Sequence, residues 1–279
     1  MSAALFAEID WTAPWLSPYA ADGQAIAASA DWRAALNEMA QQRQVRNFRG
    51  APITFVQQAA LPPGEPYEHF IGRSACVPTR ENLHDFFNAL VWLNFPHTKA
   101  RLNQLQFDQL QAKRAQESEP AAYRVGNRRG ALRDAATIFD ENGVLFIARD
   151  AEPARALIDR QWSAMFLTHR EQFGHAYDAI LFGHALLEKL VRPYAAITGH
   201  CLPLIDPNFV FPMSPGIARG ELDQMSAALL SPTTSTATFF PVPVLGFPGW
   251  YPDQDAKFYA NEAVFRLAKR QQADCRSME

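Results

Sequence analysis

Cysteine is scarce in this chain. Cys76, Cys201 and Cys275 stand far apart among 279 residues and form no CxxC pair, which argues against a disulfide framework and against a thiolate-rich zinc site. Long apolar runs are missing as well. None approaches the roughly 20 residues that a membrane span requires, so no membrane role is expected. Neither sign of charge dominates: 26 Lys and Arg against 29 Asp and Glu leave a net charge of -3. That balance speaks against general binding to nucleic acid or an anionic membrane surface. The opening MSAALFAEIDWTAPW has acidic residues and no basic start before its apolar stretch, unlike a secretory signal. A P-loop, a GxGxxG after a strand, a GxSxG elbow and a kinase signature are all lacking. The expectation is a cytoplasmic protein with reduced thiols.

What is there suits a self-sufficient core. Hydrophobic residues make up 48% and charged residues 20%, the proportions of an ordinary globular chain. We expect one domain over residues 1–279, α+β in class and mainly helical. It should have a buried helical core, a β-hairpin or small sheet, and irregular Pro-rich segments (1–30 and 231–254) packed on the surface. Helices are predicted over 31–44 with Asp31 as N-cap, over 80–95 with Thr79 as N-cap and Pro96 as terminator, and over 98–117. Further helices are predicted over 152–173, 177–192, 218–230 and 255–271. Residues 53–57 and 237–242 read as short strands, and 195–215 as irregular. In ATIFD-ENG-VLFIARD two apolar runs flank Asn-Gly, the strongest short-range hairpin signal.

Three groups of polar residues stand out. The segment 81–95 is apolar nearly all round, as a buried central helix would be, yet His84, Asp85 and Asn88 share an arc of about 100° on it. Buried without partners they would each cost on the order of 1–3 kcal/mol. Either a ligand or a catalytic partner meets them, or they bond neighbouring backbone. Second, His184 and Glu188 lie one turn apart on the face that carries Ile180, Leu181, Leu187 and Val191, with Gly183 beside them allowing close approach of another backbone. A histidine and a carboxylate in that relation can ligate one metal or act as an oriented base, although HxxxE spacing also arises by chance. Third, Arg128, Arg129 and Arg133 beside Gly130 form a basic stretch suited to a phosphate or carboxylate, unless Asp134 simply pairs with Arg133. Asp140 and Asn142 are assigned to the hairpin turn.

Four segments, PTRENLHDFFNALVWLNFPHTKARLN (78–103), RGALRDAATIFDENG (129–143), ILFGHALLEKLVRPY (180–194) and PVLGFPGWYPDQDAKFY (243–259), resemble a bacterial family known as domain of unknown function 3025. The resemblance implies a single-domain bacterial protein of the cytoplasm, and it carries no activity, cofactor or catalytic residue with it.

The leading expectation is therefore an enzyme, a hydrolase assisted by a divalent metal. His84, Asp85, Asn88, His184 and Glu188 would form the site between two buried helices. His84, Asp85, His184, Glu188 and Asp134 would be the metal ligands, and Arg128, Arg129 and Arg133 would hold an anionic group of a small substrate. The rival expectation is a protein-binding module using the Pro- and aromatic-rich segment 231–252, where Phe239, Phe240, Phe247, Trp250 and Tyr251 cluster. A sensor of a phosphorylated ligand or RNA built on the arginines is a third.

Overall fold

In the computed structural model, which describes residues 2–117, 128–213 and 217–267, the chain opens with helices α1 (Ser2–Phe6) and α2 (Ala20–Ala27). Phe6, Leu16 and Tyr19 are buried, so this stretch supplies core and does not simply drape the surface. Asp31 caps α3 (Trp32–Gln42), its side chain accepting from the Ala34 amide. A parallel pair follows, β1 (Thr54–Val56) with β2 (Cys76–Pro78), linked through α4 (Tyr67–Ser74).

The central helix α5 (Leu83–Asn94) is buried continuously from Asp85 to Asn94. Its cap is Asn82, which accepts from the Asp85 amide at 2.8 Å. Thr79, the expected cap, instead donates its hydroxyl to the Val77 carbonyl. Pro96 ends α5 and opens α6 (Pro96–Glu117), since a first-turn proline has no needed N–H to lose. The start of α6 is capped from afar by Asp223, which accepts from the amides of His97 and Thr98.

The hairpin expectation fails. Residues read there as its first strand belong to α7 (Arg128–Asn142), which runs directly into β3 (Gly143–Ala148). Leu132, Ala135, Ala136 and Phe139 are all buried, at the 3-1-3 spacing of one helical face, and Asn142-Gly143 is the point where helix becomes strand. After α8 (Ala151–Ile158) the predicted long helix breaks into short turns at Ala164–Thr168 and Arg170–Gln172. The stretch read as a helix over 177–192 divides into β4 (Tyr177–Leu181) and α9 (His184–Lys189). The stretch read as irregular contains the eight-residue β5 (Thr198–Ile205). Then come α10 (Ile217–Leu229), β6 (Phe240–Pro243) and the single turn α11 (Ala256–Tyr259). Residues 268–271 of the last predicted helix lie outside the described residues.

The main sheet has the order β4-β3-β5-β6. Strand β3 is antiparallel to β4 and parallel to β5, and β5 is antiparallel to β6. All six residues of β3 are buried, as befits a strand covered on both faces. The class is α+β and mainly helical. One cluster of buried apolar side chains runs from Phe6 to Phe265. Phe239, Phe247 and Trp250 belong to it, while Phe240 and Tyr251 are half-buried against it. The segment 231–252 thus packs into the chain's own core, which removes the apolar contact surface that a binding module needs.

One crossing places the functional elements. The amides of Phe182 and Gly183 both donate to the Gly143 carbonyl, at 2.9 and 2.8 Å. This brings the end of α7 against the start of α9. A Cβ on Gly183 would lie 2.4 Å from the Gly143 nitrogen and 2.5 Å from the Asn142 Cα, and backbone cannot yield as a side chain can. We expect Gly183→Ala to lower stability by about 2–3 kcal/mol through overpacking. Gly130→Ala, which meets nothing within 4 Å inside α7, should raise it by about 0.5–1 kcal/mol. Denaturant melts of the two variants decide the matter, and equal effects would mean that the crossing is loose.

Candidate metal centre

Helix α9 packs against both α5 and α7, and the site forms where the three meet. His84 projects from the first turn of α5, where Asn82 caps the helix. His184 is the first residue of α9, fixed by the glycine crossing. Their rings stand edge to face with centroids 4.5 Å apart, and the two Nε2 atoms face one another at 3.0 Å. Glu188, one turn beyond His184, reaches across to α5 and takes the other nitrogen of His84, Nδ1 to Oε2 at 3.0 Å. The end of α7 supplies two more carboxylates. Glu141 Oε2 lies 3.7 Å from His184 Nε2, and Asp140 Oδ2 lies 3.7 Å from His184 Nδ1. No hydrogen bond satisfies that buried Nδ1.

Proton bookkeeping on these atoms is restrictive. An ionised carboxylate only accepts hydrogen bonds, so Glu188 requires N–H at His84 Nδ1, whereas Asp140 stands beyond hydrogen-bond distance of His184 Nδ1. A neutral His84 then presents a lone pair at Nε2, and a neutral His184 with its hydrogen on Nε2 donates to it at 3.0 Å. Burial depresses the pKa of His184 from 6.5 to about 4; Asp140 opposes the shift, while Lys99 and His84 reinforce it. Burial thus keeps His184 neutral at neutral pH. Burial would push Asp140 up, but the Lys99 ammonium and the two histidines more than offset it and hold Asp140 below the usual carboxylate range. Glu141 is raised, by burial first and by the neighbouring Asp140 second.

The donors at this corner could hold a metal ion. Donor atoms of His84, Glu141 and His184 lie within 4.8 Å of one another. Ligand atoms on a tetrahedral zinc with bonds of about 2.0–2.2 Å are separated by roughly 3.3 Å, and the observed 3.0 and 3.7 Å straddle that value. The outer nitrogen of His84, on Glu188, matches the carboxylate–histidine–metal arrangement that fixes ring orientation and raises ligand basicity.

Other expected residues fall elsewhere. Asp85 turns back on its own helix start, accepting from the Arg80 amide at 2.6 Å and from its guanidinium at 3.0 Å, so it is neither ligand nor base. Asn88 donates to the Tyr67 hydroxyl and accepts from Lys99, one layer behind the histidines. Asp134 is exposed on α7, about two helical turns from Glu141, and cannot join the ligands. Arg133 is exposed and its charge is felt by Glu68. The arginine stretch is thus the opening of α7, with Arg133 about 12 Å along the helix from Glu141. The side chains of Arg128 and Arg129 lie outside the described residues. The residues that sequence reasoning missed are Asp140, Glu141 and Lys99. The helical spacing of Leu132, Ala135, Ala136 and Phe139 was the signal that would have put the first two at a helix end.

Compared with known proteins, the chain matches over residues 53–270 a family described as Protein of unknown function (DUF3025). No curated protein and no solved structure matches it.

The depressed pKa of His184 has a consequence for stability. Between pH 6.5 and about 4 the unfolded chain takes up a proton that the native His184 refuses, so stability falls as pH falls through that window. The raised Glu141 acts in the opposite sense, since its native carboxyl protonates first. We expect the melting temperature of the metal-free protein to drop more steeply across this window than that of His184→Gln. Parallel pH profiles would contradict the burial of a neutral His184.

Proposed function

We propose that this chain, which belongs to the DUF3025 family, is a metal-dependent hydrolase of the cytoplasm whose centre holds one divalent cation between His84, His184 and Glu141. The observation that supports the reading is the facing pair of Nε2 atoms at 3.0 Å, with Glu188 on the outer nitrogen of His84 and Glu141 3.7 Å from His184 Nε2. Two imidazoles and one carboxylate are the protein ligands of zinc hydrolases, and they leave a coordination position for water or substrate. A cation held there would lower the pKa of a bound water toward about 7 and polarise the bond to be cleaved. No separate strong base is then needed, in keeping with carboxylates that are already engaged: Glu188 on His84 and Asp140 on Lys99. His84 and Glu188 are part-exposed while His184 is buried, so the centre opens to substrate on the His84 side. Cys76 and Cys201 as free thiols fit a reducing compartment. No helix among the described residues is long and apolar enough to cross a membrane.

Calorimetric titration of the metal-free protein with zinc tests this. We expect one site per chain. His84→Ala, His184→Ala and Glu141→Ala should each weaken binding by at least about 100-fold, and Asp134→Ala should leave it unchanged. Loss of ester or phosphoester hydrolysis on chelation, restored by zinc, would follow. A wild-type chain that binds no divalent metal, or three histidine and glutamate variants that bind as well as wild type, would refute the reading.

A further inference from the structure

A cavity of about 220 Å³ opens where the end of α8, the start of β5, the edge strand β6 and the segment after α11 meet. Its lining includes Arg160, Trp162, Thr198, Pro241, Pro243 and Arg266, and shares no residue with the cation site. Much of the wall is apolar. Trp162 is buried, stacks on Phe166 with ring centroids 5.9 Å apart, and donates its indole N–H to the Arg266 carbonyl at 2.9 Å. That bond ties the two arginine-bearing segments together. Pro241 and Pro243 have no N–H to give, and Thr198 spends its hydroxyl hydrogen on the Ala196 carbonyl at 3.3 Å. The side-chain donors left for a guest are the two guanidiniums. Among the described residues neither guanidinium meets an acceptor or a carboxylate, and the exposed Glu262 of the adjoining hollow pairs with neither.

Arg160 also occupies a place where an arginine is costly. Helix α8 closes with the amide of Gln161 on the Ala156 carbonyl at 2.8 Å and that of Arg160 on the Leu157 carbonyl at 3.1 Å. These are the paired bonds of a helix end that turns through a left-handed residue, a position glycine usually fills. Here Arg160 fills it, at φ 55°, and its Cβ carries the strain that glycine avoids. The fold alone would favour glycine, so the side chain has a use outside the turn.

We propose that this cavity binds a small phosphate monoester, with Arg160 and Arg266 on the phosphate and Trp162, Pro241 and Pro243 against an apolar body. Guanidinium groups match the geometry of a phosphate and bond it through paired N–H groups. Two of them without protein partners suit the charge of about -1.5 to -2 that a phosphate monoester carries at neutral pH, where a carboxylate brings only one. The apolar wall favours an ester over the free inorganic ion. This inference stands apart from the cation-site reading, since it uses neither its residues nor a metal.

The experiment is calorimetric titration of the full-length, chelator-treated chain with phenyl phosphate, beside inorganic phosphate and benzoate, with thermal melts of each variant. Phenyl phosphate should saturate one site per chain and bind at least about 10-fold tighter than either comparator. Arg160→Gly and Arg266→Ala should each weaken it by at least about 10-fold, the loss of one charged hydrogen-bonding partner. His84→Ala should leave it unchanged. Arg160→Gly should at the same time melt a few degrees higher than wild type, because the strained turn relaxes. Lost binding in a more stable protein is a pattern that a structural role for Arg160 does not produce. Should Arg160→Gly melt lower instead, the exposed Arg266 decides alone, and undiminished binding in Arg266→Ala overturns the proposal. It is equally overturned if phenyl phosphate shows no saturable binding, if benzoate binds as tightly, or if His84→Ala abolishes the binding and so moves it to the other site.

Discussion

The site depends on a single close passage of backbone, where the carbonyl of Gly143 receives the amides of both Phe182 and Gly183. Neither glycine leaves room for a side chain: a Cβ on Gly143 would meet the Phe139 carbonyl at 2.3 Å, and one on Gly183 would meet the Gly143 nitrogen at 2.4 Å. The passage extends the antiparallel register of β3 and β4, in which Val144 pairs with Leu181. It converts that register into a meeting of helix ends. Asp140 and Glu141 arrive on the last turn of α7, His184 on the first turn of α9, and α5 closes the third side with His84. Tyr19 fastens the same corner by donating to the Leu181 carbonyl. Histidines 100 positions apart in sequence are thereby held with their ring nitrogens 3.0 Å apart.

Charge at this corner is arranged in layers. Outermost are Glu188 and Glu141, part-exposed. Next come the two imidazoles, then Asp140, and deepest is the Lys99 ammonium with Asn88 and Tyr67 behind it. A buried carboxylate–ammonium pair is expensive to desolvate and contributes little net stability. Its value here is positional: it holds Asp140 beside His184, while Glu188 fixes the hydrogen on His84 Nδ1 from the solvent side. The two Nε2 atoms face one point, and the Glu141 carboxylate stands beside it.

Much of this was legible in the sequence, for physical reasons that can be named. The all-round apolarity of residues 81–95 forced a buried helix, and polar groups inside it had to find partners. That argument singled out His84, which bonds Glu188 and His184, while Asn88 stands in the layer behind. The spacing of His184 and Glu188 identified the second helix, although the strand before it was misread. A continuous apolar stretch fits a buried strand as well as a buried helix. What failed was the reading of Asn142-Gly143. The same dipeptide suits a hairpin turn and an exit from a helix, and choosing the hairpin hid Asp140 and Glu141 at the end of α7. Lys99 was invisible because a lysine in a polar-looking helix reads as solvated. Its burial depends on α5 and α7 packing over it, which no local pattern reports. Asp85 was misassigned for a simple reason: a carboxylate in the first turn of a helix is there to meet the helix start, and Arg80 completes the ion pair.

The most direct test of the central claim is X-ray absorption spectroscopy of the zinc-loaded protein at the zinc edge. The account predicts a first shell of nitrogen and oxygen at about 2.0–2.2 Å, with the outer-shell scattering of two imidazole rings and no sulfur. A shell containing sulfur, or one without imidazole scattering, would place the metal elsewhere and contradict the assignment of His84 and His184.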